Sequence, residues 1–287
     1  MPLRQTSGSV VCPSCGKLVG VKDDVCWECG RRNPGLWGFA PLLRRLGQDL
    51  GFVQIVTVGC AALYVACLIA DPSALLQPGR SFDLLSPTGQ SLFLFGASGP
   101  LPVFGFGRWW TPLSAGWLHG GVLHIFFNLM WVRQLAPVCA EIYGAGRTVI
   151  LYTVASVVGF LFTTLSPLAP PAFTWILGGG SLTVGASAAI FGLLGALVHY
   201  SRRGSTEIGR MAWTYAVVLF VFGLFMGFVD NWAHLGGFVG GYAGSVVLDP
   251  RKPERGDHLL LAFLLLALTA VSIVVSYVTG LPLLRAV

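Results

Sequence analysis

Seven stretches of this chain are apolar for almost their whole length and nearly free of charge: residues 52–70, 121–140, 148–165, 184–200, 211–229, 232–248 and 259–278. A helix needs roughly 17–25 such residues to cross the hydrocarbon core of a bilayer. Backbone polar groups must be satisfied within the segment there, which leaves helices or closed barrels as spanning structures. Runs of this length specify helices, so the sequence predicts an all-α polytopic membrane protein over residues 51–280. Only 10% of the residues are charged, against roughly a quarter in soluble domains. The first span follows a polar, cysteine-bearing stretch, so an N-terminal signal peptide is not expected.

The distribution of charge predicts orientation. Fourteen Lys and Arg precede the first span or follow the second, fourth and sixth, whereas three (Arg80, Arg108 and Arg285) lie on the other side. Cytosolic loops carry the excess of Lys and Arg, so the N-terminus is expected in the cytosol and the C-terminus outside. Topology therefore accounts for the net charge of +6 without a nucleic-acid partner. The Gly, Ala, Val and Leu content suits a bacterial plasma (inner) membrane, the expected location.

Residues 1–33 form a separate cytosolic segment. Its two CxxC pairs, Cys12 with Cys15 and Cys26 with Cys29, have the spacing that closes a tetrahedral site around Zn²⁺. Disulfides are the alternative, but the cytosol is reducing. So short a segment cannot bury a core without a metal. Four cysteines leave no position for substrate, so the zinc is expected to be structural or regulatory. Cys60, Cys67 and Cys139 sit in or beside apolar spans and read as buried spectators. Residues 34–50 are a linker. Arg44 and Arg45 either lie on the anionic inner leaflet or belong to a solvated tether.

Polar side chains recur where three spans begin. His124 and Asn128 open the second, Ser187 lies three residues into the fourth, and His234 two into the sixth. Polar groups inside hydrocarbon are costly and mark function by default. Even-numbered spans run from outside to inside, so all four groups reach one depth in the outer leaflet, roughly 3–5 Å below the helix starts for Ser187 and His234. His124 and Asn128, four apart, share a helix face. A serine hydroxyl needs an adjacent base, and His234 is the candidate because imidazole titrates near neutrality. The Asn128 amide, the His124 ring and the Ser187 backbone N–H are candidate donors to an oxyanion. Asp230 and Asp83 are not obviously placed to orient the base, so a Ser–His pair is expected over a triad. Gly185 would let backbone approach a reacting group, and hydrolysis requires a water-accessible site on the outside. Gly192, Gly195, Gly240 and Gly244 read as helix-packing residues. His119, His199 and His258 read as packing or interfacial histidines, with shaping the mouth of the site as the alternative role for His119.

These residues carry a resemblance to the rhomboid intramembrane serine proteases. The pattern comprises Gly107-Arg108-Trp109, His119-Gly-Gly with His124-xxx-Asn128, Glu141-xx-Gly144, Gly185-Ala-Ser187, and Ala233-His234-xx-Gly237-xxx-Gly241. The resemblance implies a six-helix core, here with a seventh C-terminal transmembrane helix, that cuts single-pass or polytopic membrane proteins in or near the lipid bilayer. It implies Ser187 as nucleophile, His234 as general base, His124 and Asn128 as oxyanion donors, and Phe191 as an aromatic ring against the base. No cofactor serves catalysis in such a protein. Two features depart from the pattern: Ala188 stands where many members have glycine, and the spacing from Arg108 to His119 is longer than in compact members. Arg108 is expected to bond loop carbonyls or lipid phosphates. The aromatic fifth span is expected either to gate substrate entry beside the second span or simply to contact lipid. The alternative functions are a catalytically silent relative that binds membrane helices, and a transporter. Transporter sites lie near the bilayer midplane, which disfavours the latter.

Overall fold

The computed structural model describes the chain apart from residues 1–3, 45, 46, 48, 73–84, 203, 205, 228, 286 and 287. Arg45, Arg80 and Asp83, singled out above, lie outside the described residues. A two-stranded antiparallel sheet, β1 (Ser9–Val11) and β2 (Leu18–Gly20), opens the chain. Long helices occupy the apolar stretches: α1 (Phe52–Ala70), α2 (Val122–Tyr143), α3 (Ala145–Leu165), α4 (Ser187–Ser201), α5 (Thr206–Phe225), α6 (Asn231–Val247) and α7 (Gly256–Arg285). Five of them, α1, α2, α3, α5 and α7, are each long and apolar enough to cross a membrane, and the protein is an integral membrane protein. The α4 and α6 helices are shorter, at 15 and 17 residues.

Several helix bounds differ from the sequence expectation, α5 for example starting at Thr206 and not at 211, and two differences matter most. Ser187 is the first residue of α4 and does not lie three residues inside it. The preceding backbone is held out of the helix: Thr183 exchanges two backbone hydrogen bonds with Ser98, and the Gly185 N–H donates to the Ala115 carbonyl at 3.0 Å. Gly185 itself takes φ +129, a conformation open to glycine. The other difference is α7, whose 30 residues extend past both ends of the apolar run.

Glycine allows the central helices to touch through their backbones. A Cβ at Gly237 of α6 would run into the carbonyl of Ala188 in α4, and one at Gly241 into the carbonyl of Gly192. Gly192 in turn faces Ala155 of α3, and a Cβ at Gly240 would lie 2.8 Å from the Val158 Cβ. In lipid, helices associate through such close packing because apolar surface gains nothing by leaving lipid tails. Gly192, Gly195, Gly240 and Gly244 are therefore packing residues, as the sequence suggested.

The segment between α1 and α2 contains short helices, among them Gly89–Phe95 and Thr111–Ser114. Arg108 is buried (1% exposed) and organises it. Its guanidinium donates to the Phe93 carbonyl at 2.5 Å and to the Ser276 carbonyl of α7 at 2.6 Å, while lying over the Phe93 ring. Trp110 Nε1 donates to Ser276 Oγ, and Ser272 Oγ donates to the Trp110 carbonyl. Arg108 thus has the structural role expected of it, with α7 supplying one of the carbonyls.

A Gly241→Val substitution should lower the thermal unfolding midpoint of the detergent-solubilised protein, since overpacking costs about 1–3 kcal/mol. Gly256→Ala, where an added Cβ meets open space, should leave the midpoint unchanged.

Candidate active site and metal centre

The N-terminus of α4 lies against the first turns of α2 and α6. Ala186, the N-cap of α4, makes no side-chain capping bond, so the first-turn N–H groups, that of Ser187 included, have no side-chain cap. Such an end carries partial positive charge and suits a negative group. The Nδ1 of His124 accepts the Gly120 N–H at 3.3 Å, which assigns the ring proton of the neutral imidazole to Nε2. That nitrogen faces Gly185: a Cβ there would lie 2.7 Å from His124 Nε2 and 3.7 Å from Ser187 Oγ. The serine hydroxyl and the histidine edge therefore border one small volume, open only because residue 185 has no side chain. Ser187 and His124 both keep partial exposure.

His234 stands in the first turn of α6, buried, with its ring stacked on Phe191 at 4.1 Å between centroids and 16° between planes. Among the described residues no direct hydrogen bond joins Ser187 Oγ to His234; catalytic hydrogen bonds are often long without substrate and tighten in the complex. His234 Nδ1 lies 3.2 Å from Asn231 Oδ1, and Asn231 is fully buried (1% exposed). Sequence reasoning missed Asn231, although it stands three residues before the histidine and so on the same helix face. Asp230 does not address the imidazole. Its carboxylate caps α6 by accepting the Ala233 N–H at 3.1 Å, and it accepts Thr163 Oγ1 of α3 at 2.7 Å. Asn128 donates one amide hydrogen to the His124 carbonyl at 2.8 Å, and its second remains for another acceptor.

His119 is buried with its ring edge-on to His124 at 5.1 Å, and among the described residues neither ring nitrogen has a hydrogen-bond partner. His199 packs on Tyr242 in the last turn of α4, and His258 Nδ1 accepts from Arg147 and Arg255. Neither belongs to the cluster. The Ala188 methyl, a departure from the common pattern, fits because it faces Gly159 of α3, where a Cβ would come within 2.7 Å of it.

The four N-terminal cysteines form a second constellation. Each CxxC pair is a tight turn closed in the same way: Cys12 N–H bonds the Lys17 carbonyl and Cys26 N–H the Arg31 carbonyl, both at 2.8 Å. Gly16 and Gly30 take φ +75 and +71 just after each pair. The four Sγ atoms lie within 4.8 Å of one another, with Cys12 to Cys29 at 3.8 Å and Cys15 to Cys26 at 3.7 Å. A tetrahedron with metal–sulfur bonds of about 2.3 Å has edges of about 3.8 Å, whereas a disulfide requires about 2.05 Å. The cluster thus has the shape of a metal site. Burial pushes the Cys12 and Cys29 thiols up; at Cys26 burial is outweighed by the N–H groups of Cys29 and Glu28, and the thiol falls to about 7. Four thiolates this close need a cation to stay ionised together.

The fold and these two constellations define a polytopic helical membrane protein with a serine and two histidines clustered among helix N-termini, carrying a metal-site-like head. The rhomboid domain model matches residues 106–251, about half of the chain, and the chain belongs to the rhomboid family. It is 31% identical over 188 residues to "Rhomboid protease GluP" of Bacillus subtilis, an alignment covering 64% of this chain and 34% of that protein. It is 34% identical to "Rhomboid-like protease 5" of Toxoplasma gondii (65% of this chain, 22% of the relative) and 32% identical to "RHOMBOID-like protein 5" of Arabidopsis thaliana (69% and 62%). The chain spans less than two thirds of each relative's own length.

Metal binding must strip protons from the raised Cys12 and Cys29 thiols, so affinity should rise with pH. Competition with a chromophoric chelator should find binding of Zn²⁺ at least roughly tenfold weaker at pH 6 than at pH 8, and Cys12→Ser with Cys15→Ser should abolish it.

Proposed function

We propose that this chain is an intramembrane serine endopeptidase that cleaves transmembrane proteins near the outer face of the bilayer. The observation that carries the reading is the shared volume at Gly185, bordered by Ser187 Oγ and the protonated edge of His124, beside a buried His234. His234 takes the Ser187 proton as the oxygen attacks the scissile carbonyl, then returns a proton to the leaving amine. The tetrahedral oxyanion is met by the Ser187 N–H at the helix end, by His124 Nε2–H and by the free Asn128 amide hydrogen. Water then hydrolyses the acyl-enzyme with His234 again as base. Phe191 holds the imidazole plane, and Asn231 accepts from Nδ1–H, which leaves the Nε2 lone pair for the serine.

The wider assignment follows the same reading. The protein sits in a bacterial inner membrane, N-terminus in the cytosol, with membrane-protein substrates as partners. Residues 1–33 form a zinc ribbon, 34–50 a linker and 51–280 the protease unit of six core helices plus α7. Tyr215 of α5 packs edge-on against Trp131 of α2 at 4.9 Å, which supports a substrate gate between those helices.

A fluorophosphonate probe should label the detergent-solubilised protein. Ser187→Ala and His234→Ala should each lose labelling and lower peptide cleavage on the order of 10³-fold or more, with unfolding midpoints near that of the parent. A folded parent that takes no probe of any size would instead identify a catalytically silent binder of membrane helices. Asn231→Ala should slow cleavage roughly tenfold by freeing the ring to adopt the wrong tautomer; an unchanged rate would remove Asn231 from the site.

A further inference from the structure

The cysteine head does not hang free beneath the membrane helices. Arg31, two residues after Cys29, is 2% exposed, and its guanidinium donates to Glu254 Oε2 at 3.3 Å across the boundary between the head and the membrane unit. Glu254, itself 6% exposed, lies in the connection between α6 and α7. Its other oxygen accepts the Arg147 N–H at 3.1 Å, in the first turn of α3. One carboxylate therefore caps a membrane helix and binds the head. Gly144, at φ +90, makes room for it: a Cβ there would lie 2.6 Å from the carboxylate carbon. The Arg147 side chain completes the joint by donating to the carbonyls of Asp249 and Lys252.

Arg31 is held in its pose by both cysteine turns. Its carbonyl accepts the Cys26 N–H, inside the second pair, and its guanidinium donates to Ser14 Oγ, inside the first, at 2.8 Å. The four sulfurs tie the two turns to each other. Besides them the head has only a two-stranded sheet of three-residue strands, a small buried cluster around Val10, Val19, Val21 and Leu36, and the bonds from Trp27 to the Leu18 carbonyl and from Arg31 to Ser14. A segment of this size depends on its metal to fold. Releasing the metal therefore releases the two turns from each other and removes the frame that presents Arg31. Losing one partner of a buried ion pair leaves the other uncompensated, which strongly disfavours the docked state.

We propose that the head is a metal-dependent clamp on the cytosolic face of the membrane unit: with a divalent cation on Cys12, Cys15, Cys26 and Cys29, Arg31 engages Glu254 and closes the head over the corner between α2 and α3; without the cation the head detaches. A cavity of about 690 Å³ lies in this joint, lined by Cys15, Cys29 and Arg31 on one side and by Glu141, Gly144 and Lys252 on the other. It opens the cysteine cluster to cytosolic ions without separating the two bodies. The clamp thereby makes the cytosolic end of the bundle responsive to metal supply, independently of the chemistry at Ser187.

Hydrogen exchange of the full chain in micelles, loaded with Zn²⁺ or stripped by a chelator, tests this directly. Stripping should raise exchange about tenfold or more over residues 144–148 as well as over residues 9–32, since local protection tracks local opening. Arg31→Met should raise exchange over 144–148 in the Zn²⁺-loaded protein while residues 9–32 stay protected, and stripping should then add nothing over 144–148. Should Arg31→Met fail to hold Zn²⁺, Arg31→Gln, which keeps the backbone bond to Cys26 and a donor for Ser14 but brings no charge to Glu254, replaces it with the same expectation. Unchanged exchange over 144–148 on stripping, with residues 9–32 deprotected, would overturn the clamp. So would a Zn²⁺-loaded variant whose 144–148 exchange matches the parent's.

Discussion

The backbone contact between α4 and α6 governs how closely the Ser187 and His234 ends of these helices approach. Gly237 lies against the Ala188 carbonyl and Gly241 against that of Gly192. At these two positions no side chain separates the helices, so the approach of the Ser187 and His234 ends is set there by backbone van der Waals radii and not by rotamers. Lipid supplies no hydrophobic drive to hold helices together, and contacts of this closeness replace it. Phe191, one turn after Ser187, stacks on His234 across the two helices. The third helix joins through Ala155, Val158 and Gly159, and Thr163 ties its C-terminal end to Asp230 at the start of α6.

A second constraint is the satisfaction of polar groups away from water. The segment between α1 and α2 breaks out of regular helix, which is tolerated at membrane depth only when its backbone is bonded within protein. Arg108 meets that demand with carbonyls of the segment itself and of α7. The backbone bonds of Thr183 to Ser98 and of Gly185 to Ala115 then hold the approach to α4 against the same segment. The positions of Ser187 and His124 therefore depend on a scaffold that begins with Arg108. Asp230, which the sequence does not place to orient a base, is taken up by capping α6 and by Thr163; a neutral amide, Asn231, faces the His234 imidazole instead.

At the opposite end the same economy recurs. Glu254 serves as a helix cap for α3 and as the acceptor for Arg31, so the head and the bundle share one buried carboxylate. The spacing of the sulfurs describes a cluster with the shape of a cation site.

Much of this was legible in one dimension. Apolar runs announce membrane helices because hydrocarbon permits little else, and the CxxC pairs announce a metal-site geometry because two tight turns can bring four sulfurs together wherever the rest of the chain lies. The recurrence of His124, Ser187 and His234 at the starts of alternate spans, read with the charge asymmetry, predicts one depth for them, and the family pattern joins them. Boundaries and partners were not legible. That α4 starts at Ser187 follows from Ser98 and Ala115, residues far off in sequence. That Asn231 and not Asp230 faces the His234 imidazole, that Arg108 reaches α7, and that Arg31 meets Glu254 are outcomes of how the segments pack. Sequence determines what each segment must bury or satisfy, since that depends on its own composition; which neighbour satisfies it is decided only when the helices pack, because the bonding groups come from segments up to 223 residues apart.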